Sequence, residues 1–148
     1  MAVDVQEQML AWFHARLETI SGYSVHVQPN YDPTARDLPA LLMFVGAEDK
    51  NDDATHDYQI DLQVNVIVCV KATSGVELRR AARAARAKVL SVFPADVDLP
   101  ERMNFCEFLG SDAPVLVPKG EGADAPPYGT LPMSFLLKYE ESESDPYS

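Results

Sequence analysis

Three groups of residues in this chain carry chemistry that spacing could focus: a run of carboxylates, a few histidines and cysteines, and a cluster of arginines. The stretch Gly46–Thr55 reads G-A-E-D-K-N-D-D-A-T and places Asp49, Asn51 and Asp53 at the one-three-five spacing of an EF-hand calcium loop. The rest of that loop is missing. Its sixth position is Ala54, where the turn needs glycine, and its twelfth is Ile60, where a bidentate glutamate belongs. The segment also leads into a strand pattern, so a solvated acidic turn is the expectation. His14, His26 and His56 fall on separate segments with no ligand spacing, and no metal or cofactor is expected. Cys69 and Cys106 sit alone in apolar runs, as buried reduced thiols do. The nucleotide-binding, nucleophile-elbow and zincin motifs are all missing, so no catalytic residue is nominated.

The arginines are different. Arg79, Arg80, Arg83 and Arg86, with Lys88, lie within ten positions of a chain whose net charge is −11. A solvated helix face with local ion pairs accounts for such a run. The functional alternative is a contact face for an acidic surface, on a neighbouring copy or another protein, with DNA ranked third. The acidic balance, pI near 4.5, argues against a general nucleic-acid binder, which needs excess cations to displace counterions.

The elements that position these residues follow from periodicity. His56–Ala72, H-D-Y-Q-I-D-L-Q-V-N-V-I-V-C-V-K-A, puts Tyr58, Ile60, Leu62, Val64, Val66, Val68 and Val70 on every second position. That predicts one strand with a wholly apolar face and a second face that turns from polar to apolar. Its length predicts bending, a bulge or projection past its neighbours. Residues 4–21 read as a helix, with Asp4 and Glu7 at its start and Gly22 at its stop. A second helix opens at Ser74 with Glu77 three positions on, and Pro94 ends it near Val92. Leu78, Ala81, Ala82, Ala85, Val89 and Val92 gather on one side of it, and Arg79, Arg83 and Arg86 line up on the opposite side with Arg80 nearby. Further strands are expected at Tyr23–Gln28, Leu38–Val45, Phe105–Leu109, briefly at Val115–Val117, and at Leu131–Glu140. Gly110–Thr130, rich in Pro and Gly, reads as a long loop of the kind that is functional or ordered by a partner.

At 148 residues the chain suits one domain, with 142–148 as an acidic disordered tail. No secretory leader and no membrane-length apolar run is read, which points to a reducing cytoplasm and no membrane partner.

Several local phrases carry a family likeness: R-L-E-T-I-S-G-Y-S-V (16–25), D-L-P-A-L-L-M-F (37–44), V-C-V-K-A (68–72), the Arg/Ala-rich helix and F-L-L-K-Y-E (135–140). Together with the element order they resemble the tail terminator (minor tail protein U-like) family of long-tailed bacteriophages and prophages, over residues 3–141. The resemblance implies an α+β fold, a mainly antiparallel mixed sheet with two helices on one face. It implies a homohexameric ring in the virion, at the head-proximal end of the tail, assembled in the host cytoplasm. Such a ring caps the tail tube protein, ends tube polymerisation and meets the head–tail connector, and DNA passes through its lumen. A head-completion or neck protein is the neighbouring alternative, and a small ligand-binding or enzymatic domain the alternative from another class. On the ring reading, the 46–55 turn and the 110–130 loop are docking projections. The expected contact residues are Arg79, Arg80, Arg83, Arg86, Asp49, Asp52, Asp53, Asp57, Lys119, Glu121 and Tyr128.

Overall fold

The structure is a computed structural model and describes residues 4–29, 38–52, 57–117 and 128–142. In chain order the elements are α1 (Val5–Glu18), β1 (Ser24–Val27), β2 (Ala40–Asp52), β3 (Asp57–Lys71), α2 (Gly75–Ser91), β4 (Met103–Ser111), β5 (Val115–Val117) and β6 (Tyr128–Ser142). The strands form one six-stranded sheet in the order β1-β2-β3-β6-β4, with β5 also on β6. Only β1 and β2 run parallel; the other pairs are antiparallel. The fold is α+β, as expected.

The alternation along β3 decides which face is core. Ile60, Leu62, Val64, Val66, Val68 and Val70 are all buried in one cluster with Val5, Met9, Phe13 and Leu17 of α1 and Leu78, Ala82, Ala85 and Val89 of α2. Both helices therefore cover the same face. Full burial of an aliphatic side chain is worth roughly 1.5–3 kcal/mol, so this one face supplies much of the folding drive. The other face of β3 becomes apolar only toward its end. There Cys69 and Ile67 join Leu38, Ala40, Leu42, Phe44 and Tyr128 in a smaller cluster. β2 serves both clusters, which explains its nearly continuous apolar run.

Both helix starts follow the expected side-chain chemistry. The Asp4 carboxylate accepts the Glu7 N–H at 2.7 Å. At α2, Ser74 Oγ accepts the Glu77 N–H at 3.2 Å, and the Glu77 carboxylate accepts from Thr73 Oγ1 at 2.9 Å. α1 stops earlier than expected, at Glu18. The Thr19 and Ile20 N–H groups turn back to the carbonyls of Arg16 and Leu17, tightening the last turn before Gly22.

Three expectations are corrected. First, β3 does not project past its neighbours, because β2 pairs with it from Asp52 to Ala40 and β6 along its whole length. Second, Glu48–Asp52 is strand, not a solvated loop. Val45 pairs with Val64 and Glu48 with Leu62, so one extra residue sits in β2 at Gly46–Ala47. A Cβ on Gly46 would lie 3.1 Å from the Gln63 carbonyl oxygen, so glycine suits this close approach. The bulge also reverses the alternation, turning Glu48 and Lys50 toward the helix side. Third, β6 begins at Tyr128, inside the expected loop, and runs to Ser142, opposite Asp57. The remainder of the acidic tail, 143–148, lies outside the described residues.

Pro132 sits within β6 despite lacking an N–H. Its carbonyl accepts the Asp112 N–H at 3.0 Å, on the side where β4 has ended and β5 has yet to begin. The N–H and C=O of a strand residue point the same way, so the missing donor faces that break and not β3.

Candidate interaction surfaces

The buried stripe of α2, Leu78, Ala82, Ala85 and Val89, seats the helix on the sheet and leaves the rest of its circumference to solvent. Arg79, Arg80, Arg83 and Arg86 are all exposed. They do not all oppose the core squarely. Arg86 leans down one flank, its guanidinium 5.2 Å from the ring centre of Phe108 on β4. Arg79 and Arg83 share that flank at helical spacing. Lys88 goes to the other flank, over the Tyr23 ring at 5.2 Å. Among the described residues one ion-pair contact lies on a helix, His14 Nδ1 to Glu18 at 3.2 Å on α1, and none engages Arg79, Arg80 or Arg83. The local ion pairs that would make the stripe a self-contained solvated face are therefore not formed there. Glu77, the acid nearest in sequence, is occupied with Thr73 at the helix start.

The carboxylates gather elsewhere. Glu48 and Asp49 on β2, Asp61 on β3, and Glu140 and Glu141 on β6 lie at the end of the sheet covered by the first turn of α1. Asp52 and Asp57 belong to the same end by register, opposite Tyr58 and Ser142 respectively. Tyr139 reports how close they come. Its hydroxyl accepts from Gln6 Nε2 at 3.1 Å, and its pKa is pushed up to about 12, first by burial and further by the charges of Glu48, Glu141 and Asp4. The two lysines here are turned onto aromatic rings: Lys50 over Tyr58 at 4.3 Å and Lys138 over Phe105 at 4.9 Å.

The sequence-derived contact residues thus divide. Arg79, Arg80, Arg83 and Arg86 form one surface. Asp49, Asp52 and Asp57 lie on paired strands at the acidic end, not on a free turn. Tyr128 is a half-buried strand residue opposite Lys71 and Val117, packed on the smaller cluster, so it is not a loop contact. Asp53, Lys119 and Glu121 lie outside the described residues. The convergence of Asp4, Glu48 and Glu141 is not visible in the sequence, because it depends on pairing across three elements and on the bulge at Gly46.

Other candidate chemistry stays dispersed. His26 Nε2 lies 3.0 Å from Ser24 Oγ, far along the chain from His14 on α1. Among the described residues no group of three or more His, Cys, Asp or Glu side chains is arranged to hold a metal ion. Asp49 and Asn51 are positions of an extended strand, paired in register with Asp61 and Gln59. A shallow open hollow of about 320 Å³ is lined by Gln63, Leu109, Gly110, Ser111, Asp112 and Ser134. Burial pushes the Cys106 thiol up to about 12, which keeps it protonated and a poor nucleophile. Among the described residues no helix is long and apolar enough to cross a membrane.

The Tyr139 and Cys106 shifts set an expected alkaline response. Both groups hold their protons more tightly when folded, to about 12 against ordinary values of 10.0 and 9.0. The unfolded chain releases them first, so they leave stability unchanged below pH 9 and lower it as pH rises from 9 toward 12. Thermal melts across that range should show a falling Tm, and Tyr139→Phe should flatten the fall above pH 10. Identical alkaline slopes for the two chains would refute the assignment to Tyr139.

No protein-family model matches the chain, and no curated protein sequence matches it. Among solved structures, it is similar to a chain described as "Virion of native gene transfer agent (GTA) particle". That similarity has 22% identity and a TM-score of 0.47, and covers 94% of this chain and 95% of that one. A likeness of this degree carries no conclusion about function.

Proposed function

We propose that this chain is a structural virion subunit of a long-tailed bacteriophage or related particle, and that it acts as a tail terminator. Copies close into a ring, a hexamer by the family resemblance, that caps the tail tube. The capped tube end no longer offers a site for the next tube subunit, so polymerisation stops. The outer face of the ring then meets the head connector, and the lumen leaves a path for DNA. No bond is made or broken, and function rests on shape, charge and stoichiometry.

The observation that supports this best is the order of elements: helix, two strands, a long strand, a second helix, a strand, a brief strand and a final long strand. That is the order on which the sequence resemblance rests. An acidic subunit with a basic helix flank that has no ion pair among the described residues suits a surface built for neighbours.

Sedimentation velocity and negative-stain imaging of the purified full chain test the proposal. Rings formed by the chain alone, or on mixing with tail tubes, are expected. A strict monomer at high concentration that also leaves tubes undecorated would contradict it.

A further inference from the structure

We propose that copies of this chain join head to tail, the arginine flank of α2 on one copy seating on the acidic end of the β2–β3–β6 sheet of the next. The occupant of the basic flank is therefore a second copy of this chain. This rests on the ring reading above and specifies its contact.

The start of the basic flank and the acidic end lie toward opposite ends of the sheet. The first turn of α2 is held at one end of the sheet, where Leu78 packs on Gly129, the residue opposite Val70. The acidic end lies around Ile60, opposite Tyr139, ten residues back along β3. At ~3.3 Å per strand residue that separation is roughly 33 Å. Arg79 in that first turn is therefore about four Debye lengths from the acidic end at physiological ionic strength and screened from it, while Arg86, over Phe108 in the Val64 row, lies nearer, about four strand residues from Ile60. The arginine side has no local remedy among the described residues, while Lys50 and Lys138 at the far end keep their charges and offset only part of the acid excess there. No ion pair among the described residues engages Arg79, Arg80 or Arg83. At the far end, Lys50 and Lys138 lie over the rings of Tyr58 and Phe105. Glu48 pairs with Leu62 and Glu141 with Tyr58, so both lie at this end of the sheet, and their charges with that of Asp4 help raise the Tyr139 pKa.

One copy thus carries a basic flank with no ion pair among the described residues and an acidic end of the sheet on different parts of its body. Different surfaces meeting across an interface make a heterologous contact, which closes into a ring when the rotation per subunit divides the circle. Charge matching of this kind sets register and speeds encounter. A second copy fits the flank better than a nucleic acid does. Three guanidinium groups release few counterions, and the chain around them has 23 acidic residues against 12 basic ones.

The test uses the full-length chain in four forms: wild type, R79E/R83E, E48K/E141K, and the combination of all four changes. Circular dichroism melts accompany each, so that loss of fold is seen separately from loss of contact. Sedimentation velocity should show the wild type assembling, each one-sided reversal weakening self-association by about tenfold or more, and the combination restoring most of it. Raising salt on the wild type should weaken assembly in the same direction, a readout that needs no variant to fold. If wild-type rings form and neither reversal nor salt alters them, the head-to-tail charge contact is wrong while the ring reading stands. If R79E/R83E assembles normally but loses a salt-sensitive shift with duplex DNA, the flank belongs to nucleic acid and the proposal is overturned. A wild type that never self-associates, with or without tail tubes, overturns this proposal and the ring reading together.

Discussion

Replacing Phe135 with alanine should remove about 3–5 kcal/mol of folding stability, the largest loss expected from any single truncation in this core. Phe135 lies on β6 with no exposed surface, and three rings meet it. Phe13 of α1 stands edge-on at 5.3 Å, Phe93 just beyond α2 is at 5.2 Å, and Phe108 of β4 is at 5.4 Å. Phe13 and Phe93 stack on each other at 4.6 Å. The cluster therefore ties both helical segments and an outer strand to the sheet through one side chain. Domains of this size are stable by only ~5–15 kcal/mol, so the variant should be marginal at ambient temperature. Urea denaturation with an unchanged slope and a lower midpoint would report it. A loss below ~1 kcal/mol would show that the rings do not couple the layers.

Gly129→Ala should cost about 1–3 kcal/mol through overpacking. A Cβ at this position would overlap the Cδ1 of Leu78, which is buried in the first turn of α2. The helix rests there nearly on the backbone of β6, and the seat fixes where the arginine flank begins. The conflict is with one side chain, so it should be relieved by shortening that side chain. In a Leu78→Ala background, Gly129→Ala should cost far less than it does alone, giving a coupling well above the ~0.5 kcal/mol of independent sites. Additive costs would mean that α2 is located by other contacts.

Much of this fold is legible in the residue order. The seven apolar residues at alternate positions from Tyr58 to Val70 identify β3 and its buried face. Ser74 with Glu77 marks the start of α2, and its Ala-rich stripe identifies the side that meets the sheet. What escaped has a physical reason. Glu48–Asp52 has no apolar residue to bury, so its strand character comes from the ladder to β3 and leaves no hydrophobic pattern. Tyr128–Thr130 opens β6 next to a Gly/Pro-rich stretch, and pairing with Lys71 and Val117 outweighs that local composition. The parallel placement of β1 on β2 is a tertiary choice that four short residues do not encode. At the surface, the arginine cluster is visible as a local excess of charge. Its acidic counterpart is assembled from α1, β2 and β6, and only the folded chain brings those residues together.

On the proposed function, this chain would end tail-tube growth by capping. The most direct measurement is polymerisation of tail-tube subunits from the same particle, followed by electron microscopy with and without the purified chain. Capping predicts that added chain arrests elongation, shortens the mean tube in proportion to its concentration, and appears as a ring at one end of each tube. Tubes of unchanged length with bare ends, at chain concentrations well above that of the tubes, would contradict it.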